Sequence, residues 1–168
     1  MNRPFTILAF GIMAVIALML QVTAFQFVPQ FEPIFMSRSE MERSVAALPP
    51  REIENAGKLW VYDQYIFVIE QFRGIHVIDN SNPTEPMNLS FIHVDGCTDL
   101  AVSNGVIYTN NAVDLIAIKP SLDMQMIDVV SRNKNELPVL ESPDPWNDWY
   151  YLQFIPDDHI IVRWRENR

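Results

Sequence analysis

The 168-residue chain contains a single cysteine, Cys97, and has fewer basic than acidic residues. One cysteine excludes an intrachain disulfide, so no covalent cross-link holds the fold. The chain has 12 Lys and Arg residues and 21 Asp and Glu residues, which gives a net charge of -9. We expect no nucleic-acid partner, because duplex binding depends on cations that neutralise phosphates. The length and the 49% apolar content fit one domain with its own core.

Catalytic and metal-binding motifs are also missing from the sequence. His76, His93 and His159 lie far apart, and none belongs to a His-Glu-x-x-His spacing. No Gly-x-Ser-x-Gly motif occurs, and Cys97 has no base nearby in the sequence, so we interpret it as a buried, small apolar residue. We therefore predict no catalytic residue, no metal and no cofactor, and we expect a binding protein rather than an enzyme.

Charge is absent from the run Phe5 to Leu20, which follows Arg3. Together with residues 21–27 this run is long enough to cross a bilayer of about 30 Å. We predict that residues 1–24 form a signal anchor or a signal peptide, with a buried globular helix as the alternative. Val22-Thr23-Ala24 resembles a cleavage site, but the length of the run favours an uncleaved anchor. Arg3 and Glu32 on its two flanks predict a membrane-anchored protein whose body faces the periplasm or the cell exterior.

Residues 25–50 form a proline-containing spacer followed by a short amphipathic helix. Ser37 and Glu40 have the spacing of a capping box, so the helix is predicted to begin there. Met41, Val45 and Leu48 share one face at helical spacing, and Pro49-Pro50 is predicted to end the helix. We expect this helix to clasp the sheet rather than to bind a partner.

The centre of the chain is predicted to contain two similar β units, 51–96 and 97–134. Trp60 to Glu70 is rich in aromatic and β-branched residues, and short turns separate it from two further apolar runs. A constant shift of 40 residues along the sequence places 66–68 over 106–108 and 75–78 over 115–118 with no gap. Four short strands at such a period are typical of a propeller blade, with chance similarity between β-rich segments as the alternative. Because both faces of these strands are apolar, we expect neighbouring units to cover them.

The turn after the third strand has two interpretations. Asp79, Ser81 and Asn82 offer oxygen atoms to a calcium ion, but the segment lacks the Gly and the Glu of an EF-hand loop. We therefore predict a turn that bonds to its own backbone.

The segment Gly74 to Pro83, GIHVIDNSNP, resembles the signature of the bacterial LVIVD-repeat proteins, a β-propeller family. The second copy keeps the apolar strand but has Lys119 where the family has Asp, and residues 120–123 lack the Asn-Pro step. The resemblance covers roughly Gly57 to Val130. It implies an antiparallel β-propeller fold and a cell-envelope location, but no particular reaction.

Residues 135–168 are predicted to form an acidic loop and a C-terminal β-hairpin. Residues 135–162 contain six acids and no Lys or Arg, and Trp146, Asp148 and Trp149 are candidates for binding a cation or a sugar ring. A solvated loop anchored by tryptophan is the alternative interpretation. The hairpin is predicted to pair 149–154 with 160–164.

The predicted class is mostly β, with about two blade-like units and a hairpin. Since closed propellers have about 4 to 8 blades, the chain is a truncated relative, an open stack, or a protein that completes its sheets with another copy. We expect a membrane-anchored extracytoplasmic module that binds or scaffolds a protein or glycan partner, or self-associates through open sheet edges. The alternatives are a subunit or fragment of an envelope propeller enzyme, and a truncated family member without independent function.

Overall fold

The computed structural model of the chain describes residues 30–144 and 151–167. In these ranges a short helix, α1 (Arg38–Arg43), follows the first strand, and the rest is mainly β-structure. The strands are β1 (Phe31–Ser37), β2 (Ala46–Leu48), β3 (Ala56–Tyr62), β4 (Tyr65–Glu70), β5 (Gly74–Asp79), β6 (Met87–His93), β7 (Leu100–Ser103), β8 (Val106–Asn111), β9 (Asp114–Pro120), β10 (Ile127–Asn133) and β11 (His159–Glu166).

The strands form three antiparallel sheets, which confirms the predicted mostly-β class. Strands β3 to β6 pair in sequence order, and β2 extends this sheet beside β6. Strands β7 to β10 also pair in sequence order, and β1 pairs with β11. We call β3–β6 the first unit and β7–β10 the second unit.

The two units repeat the same ladder pattern. Ile66 pairs with Ile78 in the first unit, and Ile107 pairs with Ile118 in the second, so Ile66 is equivalent to Ile107 and Ile78 to Ile118. Equivalent residues are 41 positions apart between β4 and β8 but 40 positions apart between β5 and β9. The difference arises because the turn between Glu70 and Gly74 has one residue more than the turn between Asn111 and Asp114. The predicted gap-free register, which placed Ile66 over Val106, is thus wrong by one position for β4.

A β-bulge recurs at the same place in both units. The β5–β6 ladder shifts register between Val77 and Ile78, and the β10–β9 ladder shifts between Val129 and Ser131. In each unit one residue is left out of the pairing, Leu89 in the first and Val130 in the second. A bulge bends and twists its strand, so the two sheets bend at equivalent points.

The main core lies between the units, and each contributes a different face. The first unit packs Phe67, Ile69, Ile75 and Val77 against Ile107, Ile116 and Ile118 of the second. Ile107 and Ile118 are equivalent to Ile66 and Ile78, which lie on the opposite face of the first unit. We call the faces that meet the inner faces and the opposite ones the outer faces. The units therefore stack front to back.

Helix α1 begins as predicted and ends earlier. The Ser37 hydroxyl accepts the amide of Glu40, and the Glu40 side chain accepts the amide of Ser37, which confirms the capping box. The helix ends at Arg43, and Ala46–Leu48 forms a strand on β6 instead of a further helical turn. The open edge of β6 offers ladder hydrogen bonds to these residues, and this outweighs their helical spacing.

The predicted C-terminal hairpin is wrong in its pairing. Ile160 to Trp164 does form a strand, but the partner of β11 is β1, where Phe31 lies opposite Glu166. Tyr151 and Leu152 are helical. Strand β11 therefore pairs with β1, which precedes both units, and not with residues 149–154. Glu32 and Arg165 form an ion pair across the β1–β11 ladder.

The predicted membrane segment, residues 1–24, lies outside the described residues. Within 30–144 and 151–167, no helix has the length and apolar character needed to cross a bilayer.

Candidate functional site

An open cleft of about 750 Å³ lies where the first strands of the two units, β3 and β7, run side by side. Trp60 of β3, Tyr108 of β8 and the segment 137–141 form its walls. A smaller pocket that shares Trp60 and Asp99 continues along β3. The cleft is open because β3 and β7 are the edge strands of their sheets, and this leaves one side of each strand unpaired in the described structure.

Asn110 holds the floor of the cleft in place. Its side-chain oxygen accepts the amides of Thr98 and Asp99 at 2.9 and 3.1 Å, and its Nδ2 donates to the carbonyl of Gly96 at 2.6 Å. Gly96 has a φ of +77°, and a Cβ there would lie 2.6 Å from the amide nitrogen of Ala112. The loop at 96–99 is therefore fixed against the β8–β9 hairpin, and the Asn110 side chain is committed to the fold rather than to a ligand.

Two exposed aromatic side chains give the cleft its binding chemistry. Trp60 and Tyr108 are each 42% exposed, whereas aromatic side chains on strands usually bury most of their area. Asp99 and Glu141 are the acidic residues of the lining, and no Lys or Arg lines it in the described part of the chain. Asp99 forms an ion pair with Lys58 at the rim. Such a lining suits a sugar face, an aromatic or aliphatic side chain, or a cationic group.

Cys97 lies beside the cleft, but its thiol is buried and unreactive. Its side chain is fully buried, and its sulfur lies 3.2 Å from the Thr109 hydroxyl. Burial raises the pKa of the Cys97 thiol to about 12. Because the thiolate is the reactive form, this cysteine is inert at neutral pH, as the sequence predicted.

A buried ion cluster fixes helix α1 to the second unit. Asp114 is fully buried and accepts from Arg38 at 3.0 Å, from Arg132 at 2.8 Å and from the amide of Asn135 at 3.0 Å. Burial would raise the pKa of Asp114, but the Asn135 amide and the two guanidinium groups outweigh it and lower the pKa below its usual value. The carboxylate is thus charged and fully occupied, which is a structural role. It makes the helix the clasp that the sequence predicted.

His76 has a structural role in the same sense. His76 is buried, and its Nε2 lies 3.1 Å from the buried carboxylate of Glu70. Glu70 also accepts the amides of Glu54 and Asn55, so it ties the chain before β3 to the end of β4. The Nδ1 atom of His76 is buried without a hydrogen-bond partner in the described structure. Among the described residues, no group of three or more His, Cys, Asp or Glu side chains is arranged to hold a metal ion.

The turn after β5 bonds to itself, as predicted. The Asp79 carboxylate accepts the amide of Ser81 at 2.8 Å, and the Asn82 side chain accepts the hydroxyl of Thr84 at 2.8 Å. These oxygen atoms stabilise the turn.

The candidate binding residues from the sequence, Trp146, Asp148 and Trp149, lie outside the described residues. The cleft residues Trp60 and Tyr108 were missed, because each lies in an apolar strand and has the pattern of a core residue. For Trp60 an available signal was its place on the first strand of a unit, which is an edge strand; Tyr108 lies on a second strand, and no such signal applies to it.

Comparison with known proteins adds no relative, since no family model, curated protein or solved structure matches the chain. The resemblance to the LVIVD-repeat proteins therefore stays a prediction.

Proposed function

We propose that this protein is a non-enzymatic interaction module of the cell envelope. In this proposal a propeller-like body is held at the membrane by the N-terminal apolar run, and the cleft between β3 and β7 receives a protein or glycan partner. The observation that carries the proposal is the pair of exposed aromatic side chains, Trp60 and Tyr108, in one open cleft. Exposed Trp and Tyr side chains are enriched where proteins bind partners.

The propeller-like arrangement is supported by the way the units repeat and stack. Each unit is a four-stranded meander in sequence order, and each has its bulge at the same ladder position. The inner face of the second unit is equivalent to the outer face of the first, so the units stack front to back as successive blades do, whereas the two sheets of a sandwich bury equivalent faces.

The envelope location is supported by the sequence alone. Residues 5–20 carry no charge and follow Arg3, which favours a cytoplasmic N-terminus and an external body. Protease treatment of spheroplasts tests this directly: we expect external protease to digest the body of the full-length protein in intact spheroplasts. Protection from protease, with digestion only after lysis, would contradict the location.

The cleft is tested by Trp60→Ala and Tyr108→Ala in the full-length chain. We expect each substitution to weaken partner binding by about tenfold or more, because truncating a central aromatic side chain removes a large share of binding energy. Leu122→Ala is the matched control, since Leu122 is exposed and is not part of the cleft lining. Photo-crosslinking from the cleft in cells and binding to soluble peptidoglycan fragments are the two assays. Equal binding by all three variants would refute the proposal.

A further inference from the structure

Strand β3 is open along its edge and exposed on both faces. It is the last strand of its sheet, with β4 on one side and no paired strand on the other in the described structure. Residues 56–61 are exposed throughout, and the side chains of Leu59, Trp60 and Val61 are 58%, 42% and 60% exposed. A long edge strand with three exposed apolar side chains in a row is a surface to which another chain can add a strand.

The pairing with β4 fixes which backbone groups of β3 face the open side. Tyr62 pairs with Tyr65 across a two-residue turn, so these two residues exchange hydrogen bonds. Hydrogen-bonded pairs alternate along an antiparallel ladder, so Trp60 also bonds to β4. Leu59 and Val61 therefore point their N–H and C=O groups away from β4. Within the described residues these groups have no backbone partner, and they are available to an added strand.

Space for an added chain lies beside this edge. A pocket of about 420 Å³ is lined by Lys58, Leu59 and Trp60 of β3 and by Asp99 and Leu100 of the second unit. Trp60, Asp99 and Leu100 also line the cleft, so the pocket and the cleft are continuous. A chain that lies along β3 would therefore reach from the open edge into the cleft.

The side chains of β3 determine what an added strand must present. Trp60 lies on the inner face, because it pairs with Phe67, and it lines the cleft. Leu59 and Val61 lie on the outer face. In an added antiparallel strand, the residue opposite Trp60 would lie on the same face, with Cβ atoms about 5 Å apart. Its two neighbours would lie beside Leu59 and Val61, so the strand needs apolar residues on either side of a residue that faces the cleft.

The charges of the cleft favour a cationic side chain at that central position. Asp99 is already paired, because it accepts Lys58 and the amide of Leu100. Glu141 also lines the cleft, is exposed, and has no ion-pair partner among the described residues. A Lys or Arg side chain opposite Trp60 would thus meet an indole ring in a cleft with an unpaired carboxylate, and both attract a cation.

We propose that β3 binds an extended segment of another protein by strand addition, and that this segment carries a Lys or Arg between two apolar residues. The inference rests on the function proposed above and names its partner as a basic protein segment rather than a glycan. A second copy of this chain is disfavoured at the edge, because each copy has a net charge of -9 and like charges repel.

Fluorescence anisotropy of labelled peptides, titrated with the full-length chain in a mild detergent, tests the proposal. The probe is a peptide with the sequence Thr-Val-Lys-Val-Thr, and the matched control has Glu in place of Lys. We expect the Lys peptide to bind about tenfold or more tightly than the Glu peptide, because the cleft lining is acidic. Equal affinities for the two peptides would overturn the proposal.

Methylation of the peptide backbone tests strand addition separately from charge. The two valines of the probe would point their N–H groups at β3, whereas the N–H of the lysine would point away from it. We expect methylation of both valine nitrogens to weaken binding by about tenfold, and methylation of the lysine nitrogen to weaken it by about twofold at most. Equal losses would contradict strand addition.

Two variants of the protein test the contribution of the cleft. We expect Trp60→Ala to weaken binding of the Lys peptide by about tenfold, and Glu141→Gln by about threefold. Glu136→Gln is the control for Glu141→Gln, since Glu136 is exposed and is not part of the cleft lining. Circular dichroism spectra that match the parent chain would show that the variants are folded. Unchanged binding by both cleft variants would refute the proposal.

The outcomes separate this inference from the function on which it rests. No binding of the Lys peptide, together with binding of peptidoglycan fragments that depends on Trp60 and Tyr108, would overturn the inference and leave the proposed function standing. No cleft-dependent binding of any ligand would overturn both. A two-copy mass by light scattering, with a bismaleimide crosslink between two Val61→Cys chains, would assign the edge to a second copy and overturn the basic partner.

Discussion

Asp114 provides the sharpest test of the structural account, because one buried carboxylate joins helix α1 to the second unit. Asp114→Ala removes the acceptor of Arg38, Arg132 and the Asn135 amide. Breaking a buried ion pair from one side typically costs about 3–5 kcal/mol. Here the lower end applies, because both arginine side chains are partly exposed and keep Asn acceptors, Asn135 for Arg38 at 2.6 Å and Asn111 for Arg132 at 2.9 Å.

We therefore expect Asp114→Ala to lower the free energy of unfolding by about 3 kcal/mol. For a chain of this size, that corresponds to a fall of about 6–12 °C in the melting temperature. Asp114→Asn keeps the shape and one acceptor but loses the charge, so its effect should be smaller than that of the alanine variant. Urea unfolding of the full-length chain in a mild detergent, followed by circular dichroism, measures these changes.

Glu136→Ala is the control for removing an acid from the same region. Glu136 is exposed, so its removal should change the free energy of unfolding by no more than about 0.5 kcal/mol. An Asp114→Ala effect below about 1 kcal/mol would show that the cluster does not hold the helix, and would refute the reasoning.

Two further predictions concern the backbone and the buried acids. Gly74→Ala should destabilise by more than about 3 kcal/mol, because φ is +147° and the new Cβ would meet the carbonyl oxygen of Ile92 at 2.1 Å. Gly105→Ala, at φ +72° with open space around it, should cost only about 1–2 kcal/mol in the same urea assay, and equal costs would contradict the account. Burial raises the pKa values of Glu70, Asp95 and Asp114, but their hydrogen bonds and charged partners outweigh it and leave all three lowered. Their contribution to stability is therefore complete above the unfolded pKa of about 4 and is lost as the pH falls through the lower folded values. A urea midpoint that is flat from about pH 7 to pH 5 and then falls is expected, and a midpoint that rises on acidification would contradict this.

Local chemistry made much of the fold predictable. The aromatic and β-branched run from Trp60 to Glu70 forms two paired strands, and Ser37 caps the helix. The turn at Asp79 bonds to its own backbone. In each case the determining contacts lie within a few residues along the chain, so the sequence pattern carries them.

Contacts between distant residues could not be predicted in the same way. The segment Ala46–Leu48 fits a helix by spacing, and only the free edge of β6, which comes much later in the chain, makes it a strand. The partner of β11 precedes both units, whereas β11 itself follows them. The extra residue between β4 and β5 is also invisible to a search for one fixed period.

The cleft was missed for a related reason. Trp60 and Tyr108 lie in apolar runs of the sequence, and apolar strand residues are normally buried. Trp60 is exposed on β3, which is an edge strand, whereas Tyr108 lies on the interior strand β8 and is exposed on the face that points away from the core between the units. Which strand lies at an edge and which face stays uncovered depend on how the units pack, and no residue encodes either locally.

The β1–β11 ladder determines the order in which the protein can finish folding. Strand β1 is synthesised before both four-stranded units, and its partner β11 is synthesised after them. Each unit can therefore pair internally as it leaves the ribosome, but β1 must wait until the codons of β11 have been translated. A ribosome that stalls before those codons would leave both four-stranded units paired and strand β1 without its partner.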